Sequence, residues 1–93
     1  MANTELIHNE NENKYEFHIE GLKPYIEYEK KGDVLHLTHT IVPKELGGRG
    51  IAKDLCIGVM EDIKTKGLKM QPACSYIVAF VEKNPKYESL LGE

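Results

Sequence analysis

The chain has 93 residues, 41% apolar and 29% charged, with a formal net charge of −3, which leaves room for one globular domain spanning residues 1–93 and a core of little margin. That charge excludes a general nucleic-acid binder, which needs surplus Lys and Arg to neutralise phosphates, though a small basic pocket stays possible. No apolar run approaches the roughly 18 residues that cross a bilayer, Met1-Ala2-Asn3-Thr4-Glu5 lacks a signal-peptide pattern, and two cysteines make no secreted disulfide framework, so a reduced, cytoplasmic protein without a membrane partner is expected.

A short leading strand is possible at Leu6-Ile7-His8, ahead of the polar Asn9–Asn13 stretch. Lys14–Glu20 alternates, with Tyr15, Phe17 and Ile19 on one face and Glu16, His18 and Glu20 on the other, as a half-buried strand does. Gly21-Leu22-Lys23-Pro24 turns the chain into a second strand, Tyr25–Lys30. Lys31-Gly32-Asp33 turns it again into a third, Val34–Ile41, which Pro43 stops because proline has no ladder donor. The period then changes. Ile51, Ala52, Leu55, Cys56, Val59, Met60 and Ile63 form one stripe of a helix from about Gly50 to Lys66, with Gly67 as a natural residue past its end. Leu68–Cys74 reads as a further strand, Ser75 as the cap of a second helix with the stripe Tyr76, Ile77, Phe80 and Val81, and Asn84-Pro85 as its end. One more helical turn is expected in Lys86–Leu91. The order β-β-β(-β)-α-β-α predicts an α+β fold, a mostly antiparallel sheet carrying two main helices.

The richest segment is Val42-Pro43-Lys44-Glu45-Leu46-Gly47-Gly48-Arg49-Gly50-Ile51-Ala52-Lys53. It sets glycines between a strand and the first turn of a long helix, where unpaired amides and the helix dipole favour an anion. Glycine permits positive φ and close approach of a ligand, and Arg49 and Lys53 can add cationic contacts. A plain connecting loop is the competing reading. No Gly-x-x-x-x-Gly-Lys-Ser/Thr is present, and the preceding strands are hairpins rather than a βαβ unit, so neither standard nucleotide motif applies.

The sequence resembles the GNAT superfamily of acetyltransferases, specifically its very small single-domain subfamily. The matching stretches are His39-Thr40-Ile41-Val42-Pro43, Gly48-Arg49-Gly50-Ile51-Ala52-Lys53, Pro72-Ala73-Cys74-Ser75-Tyr76 and Asn84-Pro85-Lys86-Tyr87. Residues before His39 match in strand order only. Gly50 and Ala52 fit the end of the Gln/Arg-x-x-Gly-x-Gly/Ala signature, whereas Gly47 stands where Gln or Arg is usual. The resemblance implies an acetyl-CoA ligand. Amides from Gly47 through Gly48, Arg49, Gly50, Ile51, Ala52 and Lys53 would hold its pyrophosphate, with Val42 and Asn84 along the pantetheine arm. It implies an N-acetyltransferase acting on an unidentified amine or protein acceptor, the alternative being a non-catalytic acetyl-CoA-binding module. The absence of leading helices favours that alternative, since such helices help build the acceptor pocket of larger relatives.

For the chemistry, Cys74 near a helix start is a candidate nucleophile or proton donor, with a buried inert thiol as its bland reading; Cys56, on the helix stripe, reads as inert. His39 shares the face of Leu35, Leu37 and Ile41 by alternation, with His36 opposite, and can act as a base near neutral pH. His36 stands about where many GNAT enzymes carry a catalytic Glu. His8 and His18 read as surface residues, and no histidine pair has a metal-site spacing. The tyrosine acid of the superfamily is missing, since Leu91 takes its place, which leaves Tyr76, Tyr87 or Cys74 to protonate the thiolate. Sheet edges that can pair leave a homo-oligomer open.

Overall fold

The computed structural model describes residues 5–92, so the Met1–Thr4 start read above for targeting signals lies outside the described residues. Five strands form one sheet in sequence order: β1 (Ile7–Asn9), β2 (Lys14–Glu16), β3 (Tyr25–Lys31), β4 (Val34–Ile41) and β5 (Lys69–Pro72). The first four pair antiparallel, and β5 lies parallel to β4 after a crossover through α1 (Ile51–Thr65). A second helix, α2 (Ser75–Lys83), follows β5, and a 3-10 helix, Pro85–Leu90, follows that. The α+β order expected from the sequence is therefore observed, with β1 as the leading strand.

The strand expected at Lys14–Glu20 is shorter. Regular pairing ends at Glu16, and the chain continues through single contacts, Phe17 N–H to the Pro24 carbonyl and an Ile19–Leu22 bridge. Glu16, assigned by alternation to the polar face, is buried and accepts from His18 Nε2 at 2.7 Å. The other alternation holds better. Tyr15, Ile26, Tyr28, Leu35 and Leu37 turn inward and pack with Leu55, Val59, Met60 and Ile63 of α1 in one core that also takes Ile77, Phe80 and Val81 of α2. Burying such a side chain stabilises by about 1.5–3 kcal/mol. Tyr76, expected in the α2 stripe, is instead 42% exposed.

Helix α1 ends in a Schellman arrangement around Gly67, with Leu68 N–H on the Ile63 carbonyl and Gly67 N–H on that of Lys64. Beside this end His8 is not a surface residue. It stacks on Tyr15 at 4.1 Å, lies 2.6 Å from the Tyr28 hydroxyl through Nε2, and accepts from Lys66 Nζ at 2.8 Å through Nδ1. Lys66 also meets Asp62 at 2.9 Å, and Tyr15 donates to the same carboxylate at 2.7 Å. The strand β1 is short, and this polar network fastens it to the helix. The far side of β5 is covered by the chain's own tail, through Gly92 N–H to the Met70 carbonyl and a Gln71 amide to the Gly92 carbonyl.

Candidate functional site

Past β4, Pro43 leads into a 3-10 turn at Lys44–Leu46, and Leu46 drops into the core at 1% exposure. Ile51, the first residue of α1, is the second anchor. The chain between them is held at the surface. Gly48 and Gly50 have φ of 78° and 72°, and nothing lies within 4 Å of where a Cβ would stand on either. Glycine is needed there for the left-handed backbone, not for room. Gly47 is ordinary in φ, but a Cβ on it would come 3.2 Å from the Lys44 carbonyl oxygen.

No side chain caps α1, whose first turn bond runs from Asp54 N–H to the Gly50 carbonyl at 3.0 Å. The amides of Ile51, Ala52 and Lys53 precede it and have no intrahelical partner by construction. Among the described residues no main-chain carbonyl outside helices and strands takes the amides of Gly48, Arg49 or Gly50 either. The result is a run of free donors at the positive end of a helix dipole. Arg49 contributes its backbone only. Its guanidinium turns to Glu20 in the β2–β3 connection, at 2.9 and 3.3 Å, and the Arg49 hydrogen bonds hold the Glu20 carboxyl below its usual range.

A second feature lies beside this cradle. The β4–β5 pairing ends at Leu37 opposite Pro72, with one further bond from Ala73 N–H to the Leu37 carbonyl. From Thr38 to Ile41, β4 pairs with β3 alone, so the sheet splits open on its β5 side. Cys74 sits at this split and, in place of the expected Ser75, is the N-cap residue of α2. Its Sγ lies 3.7 Å from Thr40 Oγ1. Burial alone would raise the thiol's pKa, but hydrogen bonding with the Thr40 hydroxyl and with the backbone of Ile77, Tyr76 and Thr40 holds it below the usual thiol value. Cys56 is the opposite case: fully buried, it is pushed up to about 12 by desolvation.

A cleft of about 370 Å3 runs from the first turn of α1 along α2, lined by Lys53, Tyr76, Ala79, Phe80, Lys83 and Asn84. It brings Lys53 and Asn84 to one surface, although the Asn84 amide also donates to the Phe80 carbonyl at 2.8 Å and so closes α2. Val42 is half-buried against the core where β4 enters the loop. Tyr87 is not free to serve as an acid, because its hydroxyl donates to Glu61 at 2.9 Å.

The histidines fall differently from the alternation. A register shift sets Glu27 opposite His39 and Tyr28 opposite Leu37, which leaves Thr38 as the extra residue of a β-bulge. The bulge reverses parity beyond it, so His39 does not share the face of Leu35 and Leu37. It joins His36 on the outer face, paired across to Glu27 as His36 is to Glu29. Thr40 takes the inward position and reaches Cys74. Sequence reasoning missed Thr40, Glu27 and Glu20 as partners, and no residue type announces a bulge. Among the described residues no three metal-ligating side chains cluster, and no helix is long and apolar enough to cross a membrane.

Comparison with known proteins bears on the family and the fold. Residues 14–90 match the family model described as GCN5-related N-acetyl-transferase. Protein NATD1 of Xenopus tropicalis is 43% identical over 49 residues, 53% of this chain and 45% of that protein. Protein NATD1 of Danio rerio is 39% identical over 64 residues, 68% of this chain and 58% of that protein. The matched stretch thus spans about half the length of these relatives. The NMR solution structure of a GCN5-like protein from Staphylococcus aureus superposes with a TM-score of 0.73 at 28% identity, covering 99% of this chain and 91% of that one.

Proposed function

The chain belongs to the GCN5-related N-acetyltransferase family, and from that premise we propose that it binds acetyl-CoA and transfers the acetyl group to an amine. The observation that carries this reading is the conjunction of an uncapped helix start behind Gly48 and Gly50 with a sheet that opens immediately beside it. The free amides from Gly48 to Lys53 would hold the pyrophosphate. Lys53 and Lys83, on the cleft along α2, would meet the remaining phosphate charge, with Asn84 between them and the arm. The open edge of β4 offers main-chain groups to the amides of the pantetheine, as a neighbouring strand would.

In this reading the thioester reaches the split where Thr40 and Cys74 meet. The Cys74 thiolate attacks the thioester carbonyl, a new S–C bond forms, and coenzyme A leaves as a thiolate that takes a proton from solvent. An amine then attacks the acetyl-cysteine carbonyl, loses a proton, and returns the Cys74 thiolate. The lowered thiol pKa and the hydroxyl and amide donors around Sγ support the nucleophilic role. The two free thiols also suit a reducing, cytoplasmic setting.

Titration of the protein with acetyl-CoA, followed by amide NMR, tests binding: shifts should centre on residues 47–53 and on Cys74 to Ile77. No shift at millimolar ligand sinks the proposal. Mass spectrometry after incubation should show one added acetyl group on Cys74. Thiol release to an amine without that adduct would instead mean direct transfer, and binding without either would mean a carrier module.

A further inference from the structure

The outer face of the split carries an arrangement that this reading leaves unused. His39 Nδ1 lies 3.2 Å from Glu27 Oε1 and 3.2 Å from Thr38 Oγ1. These contacts follow from the backbone as well as from rotamers. Glu27 and His39 are direct cross-strand partners, so their side chains stand side by side on one face. Thr38, the bulge residue, donates its own hydroxyl proton to the Glu27 carbonyl at 3.1 Å, which turns its lone pairs toward the imidazole. Both neighbours of Nδ1 thus present acceptor oxygens, an arrangement that favours a proton on Nδ1. Among the described residues no side-chain partner is found for Nε2. A cleft of about 300 Å3, lined by Glu12, Asn13, Glu27, Tyr28, Glu29, Thr38 and His39, opens over this face.

We infer that Glu27 is a positioning residue for His39, fixing the Nδ1–H tautomer so that Nε2 is the proton acceptor for the attacking amine. The inference rests on the transferase reading above and adds to it the proton's destination. His39 and Cys74 lie on opposite sides of β4, but β5 has left that strand by Leu37. An amine lodged on the outer face thus meets an acetyl group held at the split across one strand edge. The proton leaves the amine nitrogen as the N–C bond forms, passes to Nε2, and is returned to solvent as the imidazolium relaxes. Thr38 helps Glu27 hold the ring, and neither touches the acceptor's reacting atoms.

The test is the imidazole nitrogen spectrum of His39 in the full chain. Wild-type protein should show the Nδ1–H tautomer. Glu27→Val removes one acceptor and should shift the ring toward Nε2–H, whereas Glu27→Gln keeps an acceptor oxygen and should restore the wild-type pattern. Both variants should bind acetyl-CoA with unchanged affinity, because Glu27 lies away from the glycine loop. A wild-type Nε2–H tautomer, or no change in Glu27→Val, overturns the inference. With methylamine as probe acceptor, coenzyme A release in Glu27→Val should fall about tenfold in kcat with KM for acetyl-CoA unmoved; an unaltered kcat also overturns it. If wild-type protein binds acetyl-CoA but releases no coenzyme A, the transferase reading fails, while the nitrogen spectrum still decides the role of Glu27.

Discussion

Thr40 and Cys74, distant in sequence, bring Oγ1 and Sγ to 3.7 Å across the split where β5 parts from β4. The hydroxyl lowers this thiol's pKa together with the backbone of Ile77 and Tyr76 at the start of α2 and of Thr40 itself.

Thr40→Val should therefore slow alkylation of Cys74. A hydrogen bond to a charged group is worth about 1.5–3 kcal/mol, less where water reaches it, so the thiolate fraction near neutral pH should drop several-fold. Mass spectrometry of iodoacetamide adducts against time measures it. Cys56 should stay unlabelled in the folded protein, and equal labelling of both thiols would contradict the site described here.

Gly50 separates conformation from charge. Gly50→Ala must take a left-handed backbone at φ 72°, at a cost of about 1–2 kcal/mol, and has no contact to clash with. Gly50→Asn tolerates that conformation better and should lose less stability in urea. Gly50→Asp should match Asn in stability yet weaken acetyl-CoA at least tenfold by calorimetry, since it sets a carboxylate among the amides proposed to hold the pyrophosphate. Equal affinity in Asn and Asp variants would take Gly50 out of the ligand site.

How much of this was readable beforehand depends on what each feature is made of. The backbone of the glycine loop was legible because positive φ is written in residue type, and Gly48 and Gly50 both adopt it. Helix α1 was legible because its stripe of Leu55, Cys56, Val59, Met60 and Ile63 repeats at helical spacing and all five are buried. The face of His39 was not legible, because an extra residue at Thr38 shifts parity with no compositional mark. Nor was the cap of α2, where Ser75 is the better capping residue by type but Cys74 takes the position because β5 ends two residues before it. His8 was read as a surface residue because its partners, Tyr28 and Lys66, come from strands and helices far along the chain.

Leu46 ties the glycine loop to the core, so its truncation should act on two properties together. Leu46→Ala should cost about 2–5 kcal/mol in urea unfolding and should also weaken acetyl-CoA, because the amides after it lose their fixed spacing. A control at the far end of the core, Leu35→Ala, should destabilise similarly and leave affinity intact in protein that remains folded. Parallel loss of affinity in both would refute the anchoring role.

Stability should fall on mild acidification through His8. Burial first, then the Lys66 ammonium and more weakly Lys30, press its pKa below 6.5, against the raising influence of Glu10 and Asp62. Tyr15 and Tyr28 occupy the rest of its surroundings. The native ring is therefore the weaker base. As pH falls the unfolded chain binds the proton first, so the contribution is complete above 6.5 and is lost as pH drops through the folded value. The urea midpoint should decrease between about pH 7.5 and about 5.5, and His8→Gln should flatten that segment of the curve. An identical slope in the variant would assign the loss to other groups.

The split in the sheet has a consequence for self-association. Unpaired strand edges ordinarily invite another polypeptide to add itself, and a protein that must keep main-chain donors available for a ligand runs that risk. At the split the unpaired edge is interior: β3 borders β4 on one side, and the start of α2 stands over the other. A strand adding itself there would have to displace the Thr40–Cys74 contact, so the split is closed to the pairing that an outer edge allows.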